Sequence, residues 1–469
     1  MKPSQDTTPP TGLTTLSEVM AWQQSLRLLH AGLASRFARP EPFARALRFV
    51  QGILSTVERK NSWQVAEQAR EATPYGLQRL LSQAVWDTDG VRDDLRAFVR
   101  QQLGSSPLTV VIDESGFLKR GQHSAGGGFQ HYGPTGDVRN CQVGVFLSLV
   151  SVTGHSLIDR ELYLPADWTN DPLRCRHAGI PAEVPFRTKP QLALLMLDRL
   201  LHAQVPIAWV VADSVYGSKP EVRAWLERRQ LPSVLAVACD EPVVLDMPQV
   251  GVRRLEGRDV AALLAPADWQ QLAMSEGTKG PRLFAWACLP IWHQGQDDGW
   301  HSLLLRRSLD PTPELTFYLV FAPPTTCLQA KVSALGGGFR IEEAFENGKD
   351  LGLDHYEVRS YVGWYRHLTL LMLALAFLTS IAVAARRSAA PLLSALPPAT
   401  EALISPALCP LSVPEARRLL ARLLFPPPTG APLVLAWSGW RRRHQQQAHL
   451  CHIRQRLKAG ERTPTSPRE

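Results

Sequence analysis

Two short apolar runs that each stop on an aspartate constrain this chain more than any other feature. LTVVID ends at Asp113, and IAWVVAD ends at Asp213. Continuous Val- and Ile-rich runs of this length predict buried strands. In an open α/β sheet, ligands bind outside the carboxyl ends of such strands, so we expect both carboxylates to face one site. For either aspartate alone, a solvated turn at the end of a strand is the ordinary alternative.

The elements around these two strands predict an α/β fold with a ribonuclease H-like domain. CQVGVFLSLVSV, SLIDRELYLP and SVLAVA are typical of strands, and residues 189–203 and 221–229 are typical of helices. The predicted order is therefore β-β-β-α-β-α-β. This order is expected when antiparallel strands are followed by parallel strands joined through helices.

Composition and patterning divide the chain into five regions. The predicted regions are a disordered tail (1–12), an α-helical, DNA-binding N-terminal domain (13–105), a catalytic domain (106–239 and 331–388), a mostly β insertion within it (240–330), and a Pro/Ala-rich, basic C-terminal tail (389–469). Within the insertion we predict strands at residues 282–289, 302–308 and 315–322. Helical patterning resumes around Phe339.

The N-terminal region contains two short predicted helices. Ser62 is predicted to cap WQVAEQAR, and Thr73 with Pro74 to begin PYGLQRLLSQAV. Two short helices separated by a tight break, with Arg79 exposed, resemble a helix-turn-helix. A plain helical bundle is an equally good interpretation of this pattern.

The charge of the chain favours a polyanionic partner. The formal net charge is +8 and the pI about 9.2, and basic side chains that neutralise phosphates release condensed counterions. The seven cysteines are scattered, without a C-x-x-C pair. This distribution argues against a disulfide framework or a zinc module and favours a reducing cytoplasm.

One apolar run, Leu368–Ala385, is almost free of charge. Its length lies at the lower limit for a membrane span. A helix that is hydrophobic on all sides is also typical of the core of a large domain. We predict the buried helix and no membrane association, because nothing else in the chain resembles a membrane protein.

A third acid is expected on a later helix. RIEEAFENGKD offers Glu342, Glu343 and Glu346, of which the first and last share a helix face. Spacing alone does not choose among them. Phosphodiester transfer uses two divalent ions about 3.5–4 Å apart, and Mg²⁺ prefers carboxylate, water and phosphate oxygens. Three carboxylates on a rigid scaffold would meet that demand.

Several segments together resemble the DDE transposases of bacterial insertion sequences, and more narrowly the insertion sequence 701 group. The likeness runs from about Trp63 to about Leu375 and is carried by VIDESGFLKRGQHSAG, CQVGVFLS, LIDRELYLP, WVVADSVYG and RIEEAFENGKDLGLDHYEVRSYVGWYRHLTL. The resemblance implies that Asp113, Asp213 and Glu342 are catalytic and bind two Mg²⁺, with Mn²⁺ as a substitute. It also implies cleavage and strand transfer at the ends of a mobile element, a homodimer at the synapsis of two DNA ends, and a bacterial cytoplasmic, nucleoid-associated protein.

The family pattern also suggests DNA contacts. Lys349 lies seven residues after Glu342, where related families place a lysine that would hold a phosphate. Further candidate contacts are Lys119, Arg120, Arg79, Arg441 and Arg442.

The sequence departs from the family pattern before Glu342. A Tyr and an Arg normally precede this glutamate by seven and four residues, and Leu335 and Gly338 occupy these positions here. The alternative function is therefore a transposase-derived DNA-binding protein without catalytic activity.

Overall fold

The computed structural model describes residues 14–104, 106–133, 135–247, 251–277, 280–293, 295, 297–394 and 409–460. The predicted N-terminal tail lies outside the described residues, as do residues 395–408 and 461–469 of the predicted C-terminal tail.

The strands are β1 (Leu108–Leu118), β2 (Gly128–Tyr132), β3 (Asp137–Val150), β4 (His155–Tyr163), β5 (Ile207–Ala212), β6 (Ser233–Val237), β7 (Pro242–Met247), β8 (Gly251–Glu256), β9 (Gln270–Gly277), β10 (Gly280–Pro290), β11 (His301–Arg307) and β12 (Leu315–Phe321). The helices are α1 (Leu16–Ala31), α2 (Pro40–Leu54), α3 (Ser62–Gln68), α4 (Tyr75–Ser82), α5 (Thr88–Leu103), α6 (Ala166–Thr169), α7 (Pro172–His177), α8 (Lys189–His202), α9 (Ser214–Gly217), α10 (Pro220–Arg228), α11 (Gly257–Leu263), α12 (Leu328–Asp350), α13 (Tyr361–Ser394), α14 (Val413–Leu423) and α15 (Ala431–Gly460).

A large mixed sheet forms the centre of the described part of the chain. Its strand order is β2-β3-β1-β5-β6-β12-β11-β10-β9, and β4 also pairs with β3. β1 pairs with β3 antiparallel and with β5 parallel, and β5 pairs with β6 parallel. The predicted α/β class is confirmed, and the sheet is consistent with a ribonuclease H-like domain.

The strands of residues 240–330 extend this sheet. β12 pairs antiparallel with β6, and β11, β10 and β9 follow outward from it. Only β7 and β8 form a separate two-stranded sheet among the described residues. Leu245, Leu303 and Phe317 belong to a second, smaller apolar cluster beneath these strands. The segment predicted as an insertion is therefore continuous with the sheet that carries the two aspartates.

The ends of two N-terminal helices differ from the prediction by one residue. Asn61, and not Ser62, caps α3, and its side chain accepts hydrogen bonds from two backbone N–H groups of the first turn. α4 begins at Tyr75 after Pro74, without a side-chain cap, so Thr73 is not the cap residue. Asn61 has the extended backbone of a cap residue, whereas Ser62 already belongs to the helix.

The apolar run 368–385 lies within the 34-residue helix α13. By length and composition this helix could cross a membrane, but most of the apolar window is buried inside the protein. α13 packs against α2, α4, α5, α14 and β4. This agrees with the interpretation of the run as a core helix.

Two helices occupy part of the segment predicted as a C-terminal tail. α14 and α15 lie at residues 413–423 and 431–460. Trp437 of α15 is 1% exposed, and its indole N–H donates to the Glu71 carbonyl at 3.0 Å. Trp440 packs edge-on against Trp63. The described residues after 408 therefore contact the N-terminal helices through the buried Trp437 and the half-buried Trp440.

Helix α12 begins earlier than predicted, at Leu328 instead of around Phe339, and it contains the run Gly336-Gly337-Gly338. A Cβ atom added at Gly336 would lie 2.2 Å from the Met274 carbonyl oxygen of β9. Cβ atoms at the next two glycines would lie 3.3 Å from Thr109 of β1 and Val211 of β5. The glycines therefore let α12 approach the sheet closely, and packing outweighs their low helix propensity.

We expect Gly336→Ala to destabilise the protein by about 1–3 kcal/mol, the usual cost of overpacking a close contact. The Cβ meets a backbone carbonyl, which cannot rotate away as a side chain can. Gly338→Ala is the matched control, because its Cβ meets a methyl group at 3.3 Å and alanine gains about 1 kcal/mol in helix propensity. Urea unfolding of both variants measures the difference. Equal stability of Gly336→Ala and wild type would contradict the proposed contact.

Candidate active site

The parallel pairing of β1 and β5 brings the two predicted aspartates together. Ile112 of β1 is paired with Ala212 of β5. Asp213 directly follows β5, as predicted, whereas Asp113 lies within β1, which continues to Leu118 instead of ending at Asp113 because residues 114–118 remain paired with β3. Neighbouring strands lie about 4.8 Å apart. Asp213 also caps α9, where its carboxylate accepts a hydrogen bond from the Val215 N–H at 3.0 Å.

Helix α12 brings acids to the same place. A cavity of about 530 Å³ is lined by Asp113, Asp213, Glu342, Glu346 and Lys349. We call this cavity the acidic cleft. The two glutamates are exposed, and Lys349 is half-buried.

Glu343, the second residue of the Glu-Glu pair, does not line the acidic cleft. Its carboxylate pairs with Arg340 at 2.8 Å and lies 3.9 Å from Nε2 of His155. Position on the helix therefore excludes Glu343 from this cavity, as its turn of about 100° from Glu342 would predict. Both Glu342 and Glu346 line the cavity, so their position does not decide which of them is the third acid.

The electrostatics of the acidic cleft oppose the ionisation of its aspartates. Burial, followed by the charge of Asp213, raises the pKa of Asp113 to about 8, and Glu114 and Glu342 add to the shift. Asp213 is exposed, yet desolvation by its surroundings and the charge of Glu114 raise its pKa to about 6. Carboxylates crowded in this way are stabilised by a bound cation, and their oxygens suit a hard divalent ion.

Three residues of the site were not singled out from the sequence. Glu114 accepts hydrogen bonds from Lys189 Nζ and from the Tyr216 hydroxyl, each at 2.6 Å. Glu114 directly follows Asp113, and Tyr216 lies in the D-S-V-Y-G turn after Asp213. The positions of Glu114 and Tyr216 beside the two aspartates could have identified them from the sequence, whereas Lys189 lies in neither motif. The three side chains form a hydrogen-bonded support beside the aspartates.

The other predicted DNA contacts lie away from the acidic cleft. Lys119 donates to the Tyr356 carbonyl at 2.9 Å, and burial lowers its pKa to about 8. Arg120 is exposed beyond the end of β1. Arg79 of α4 lines a separate cavity of about 730 Å³. On α15, Arg441 forms an ion pair with Glu67, whereas Arg442 is exposed.

An α/β sheet that carries clustered carboxylates is typical of metal-dependent nucleases. A comparison with known families gives the same result. The family model described as DDE superfamily endonuclease matches residues 32–287, more than half of the 469 residues. The chain therefore belongs to this family. The matched range includes Asp113 and Asp213, and Glu342 lies beyond it.

A curated relative is similar over part of its length. "Probable transposase for insertion sequence element IS701" from Microchaete diplosiphon is 26% identical to this chain over 166 residues. These residues are 35% of this chain and 41% of the relative, so the match spans about two fifths of that protein. The resemblance to the insertion sequence 701 group is thereby confirmed.

Proposed function

We propose that this protein is a transposase that cleaves DNA at the ends of an insertion sequence and joins them to target DNA. The observation that carries the proposal is the acidic cleft, in which Asp113, Asp213 and Glu342 come from β1, the end of β5 and α12. Membership of the DDE superfamily endonuclease family supports it. The named activity of the partial relative agrees with it.

In this proposal Asp113, Asp213 and Glu342 hold two Mg²⁺, and Mn²⁺ can substitute. When bound, such a pair supplies activation of the attacking oxygen and stabilisation of the leaving oxygen. The protein contributes carboxylates within β1, directly after β5 and on α12. The Glu114 carboxylate, fixed by Lys189 and Tyr216, adds negative charge beside Asp213 and strengthens the attraction for cations.

The chain's own groups would position the DNA. Lys349 lines the acidic cleft and would hold a phosphate next to the carboxylates. Arg120, Arg79 and Arg442 are exposed and would contact the backbone further away, which fixes register without sequence specificity. Lys119 would have to leave the Tyr356 carbonyl to do the same. Two protomers would pair two DNA ends in the bacterial cytoplasm.

The alternative of a catalytically inactive DNA-binding protein rested on Leu335 and Gly338. In the structure Leu335 is 5% exposed, and Gly338 faces Val211 of the sheet. Leu335 and Gly338 are explained by the packing of α12 close to β1, β5 and β9. Their departure from the family pattern is therefore not by itself a reason to infer that catalysis has been lost.

The deciding experiment uses the purified full chain and a labelled duplex that carries the terminal inverted repeat of the element. With Mg²⁺ we expect nicking at the repeat end and, with target DNA present, a joined product. Chelation of the metal should stop both reactions and leave binding detectable. DNA binding without cleavage in Mg²⁺ or Mn²⁺ would support the inactive alternative.

The raised pKa values predict how metal binding depends on pH. Metal ligation needs ionised carboxylates, and the pKa values of Asp113 and Asp213 are about 8 and about 6. Both groups hold protons more fully at pH 6 than at pH 8, so Mg²⁺ must displace them. We expect Mg²⁺ to bind about 10- to 100-fold more weakly at pH 6 than at pH 8.

Calorimetric titration of Mg²⁺ at the two pH values, in buffers of different ionisation enthalpy, measures the affinity and the protons released. Asp113→Asn is the control, because its side chain cannot ionise and the pH dependence should flatten. An affinity that does not change between pH 6 and pH 8 would contradict the prediction.

A further inference from the structure

Glu114 is an acid of the cleft whose surroundings differ from those of its neighbour Asp113. It lines the acidic cleft and directly follows Asp113 in β1, so the two side chains point to opposite faces of the sheet. The side chain of Glu114 is 17% exposed. A further carboxylate so close to Asp113 and Asp213 costs electrostatic free energy unless a cation balances it.

Both oxygens of Glu114 accept a short hydrogen bond. Lys189 Nζ donates to Oε1 and the Tyr216 hydroxyl donates to Oε2, each at 2.6 Å. Lys189 belongs to the first turn of α8, and Tyr216 belongs to α9, the turn that Asp213 caps. Two donors from different elements therefore hold this carboxylate in one orientation, between a cation and the turn that carries Asp213.

The ammonium group of Lys189 is close enough to act on Asp213. Desolvation and the charge of Glu114 raise the pKa of Asp213, and the charge of Lys189 opposes that rise. A lysine carries a compact charge on a flexible four-carbon chain, so it can turn toward any carboxylate within reach. An ammonium group paired with Asp213 would occupy the oxygens that a divalent ion needs.

We propose that Glu114 is a positioning residue that holds Lys189 away from Asp213 and so leaves this aspartate free to bind a divalent ion. The inference rests on the proposed function, because it takes Asp213 to be a metal ligand. Glu114 would not bind the ion itself, since Lys189 and Tyr216 already engage both of its oxygens. It would act through Lys189, whose charge it balances.

Two ordinary alternatives make different predictions. The Glu114–Lys189 pair joins β1 to α8 and could be an ion pair that serves only the fold. Loss of either partner would then disturb the metal site in the same direction. Glu114 could also attract cations by its charge alone, in which case its loss would weaken metal binding equally with or without Lys189. A restraint on Lys189 predicts neither result.

The test is Mn²⁺ binding by the full chain, followed through the electron paramagnetic resonance signal of the free ion. Wild type, Glu114→Gln, Lys189→Gln and the protein with both substitutions form a double-mutant cycle, which isolates the effect that one residue has through the other. The start of α8 does not depend on the Lys189 side chain, because Thr188 and Gln191 form its capping box.

We expect Glu114→Gln alone to weaken Mn²⁺ binding about 100-fold, because the released ammonium group competes with the ion. In the Lys189→Gln background the same substitution should weaken binding by less than about tenfold, since only the charge of Glu114 is then lost. Lys189→Gln alone should bind Mn²⁺ at least as tightly as wild type.

Lys219→Gln is the matched control. Lys219 is exposed and lies six residues after Asp213, so its loss removes a nearby positive charge that Glu114 does not hold. Its Mn²⁺ affinity should stay within about threefold of wild type, because exposed charges are screened. Thermal unfolding of the metal-free proteins completes the test. Glu114→Gln should unfold within about 3 °C of wild type, because Lys189 can pair with Asp213 instead.

Three results would overturn the proposal. They are equal losses of affinity from Glu114→Gln in the two backgrounds, weaker Mn²⁺ binding by Lys189→Gln than by wild type, and unchanged binding by Glu114→Gln. The second result can be obtained even if Glu114→Gln does not fold. A wild-type protein that bound no divalent ion would contradict the proposed function, and this inference with it. Wild-type binding combined with any of the three results would contradict this inference alone.

Discussion

Asp213→Asn should abolish strand cleavage and leave DNA binding intact. The substitution removes one anionic oxygen from the acidic cleft, which would weaken the hold on both divalent ions. Because metal ions contribute several kcal/mol of charge stabilisation in such reactions, the rate should fall by at least about 10³-fold. The measurement is single-turnover nicking of a labelled terminal-repeat duplex in Mg²⁺, with binding followed by gel shift.

The fold should tolerate this change. Asp213 caps α9, and asparagine is an equally good cap residue. Although Asp213 is exposed, desolvation and the charge of Glu114 raise its pKa to about 6, so a neutral amide relieves part of an unfavourable charge. Thermal unfolding of the metal-free variant should therefore match or exceed that of wild type. Asp198→Asn, on the exposed side of α8, is the control and should cleave normally.

Retained cleavage by Asp213→Asn would remove Asp213 from the catalytic set. Simultaneous loss of DNA binding and of thermal stability would indicate a structural role instead. Only loss of cleavage with both other properties preserved agrees with the proposal.

The positions of Asp113 and Asp213 were predictable because strong local signals fix them. β5 and the first half of β1 are apolar runs preceded by Pro-containing segments, and their parallel pairing agrees with the predicted β-β-β-α-β order. Once the strands are adjacent, residues that follow Ile112 and Ala212 must be neighbours. Sequence alone was sufficient for this part of the site.

The start of α12 was not predictable, because its determinants lie elsewhere in the chain. The glycine run lowers local helix propensity by about 1 kcal/mol per residue. What offsets it is contact with Met274, Thr109 and Val211, which belong to three different strands. A pattern within one segment carries no information about such contacts.

Contacts between distant parts of the chain also explain why residues 240–330 extend the main sheet and why helices follow residue 408, neither of which the sequence predicted. The pairing of β12 with β6 joins two strands that are separated along the chain by β7 to β11. The helix that contains Trp437 is likewise stabilised by distant residues near Glu71.

Three matched variants should identify the third carboxylate. We expect Glu342→Gln to lower the cleavage rate by at least about 10³-fold, by the same loss of metal-ligand charge as at Asp213. Glu343→Gln should remain within about threefold of wild type, because its carboxylate pairs with Arg340 outside the acidic cleft and exposed pairs contribute only about 0–1 kcal/mol. Glutamine and glutamate have similar helix propensities, so α12 should be unaffected.

Glu346→Gln decides the remaining ambiguity. Glu346 lines the acidic cleft one turn beyond Glu342, but the charge that acts on Asp113 from this helix belongs to Glu342. We therefore expect Glu346→Gln to cleave within about tenfold of wild type, a loss of no more than about 1.4 kcal/mol. Single-turnover rates at saturating Mg²⁺ measure all three variants. If Glu346→Gln were inactive and Glu342→Gln active, the catalytic glutamate would be one helical turn further along α12. Lys349 would then be three residues from it, and the family spacing between the glutamate and the lysine would not hold in this chain.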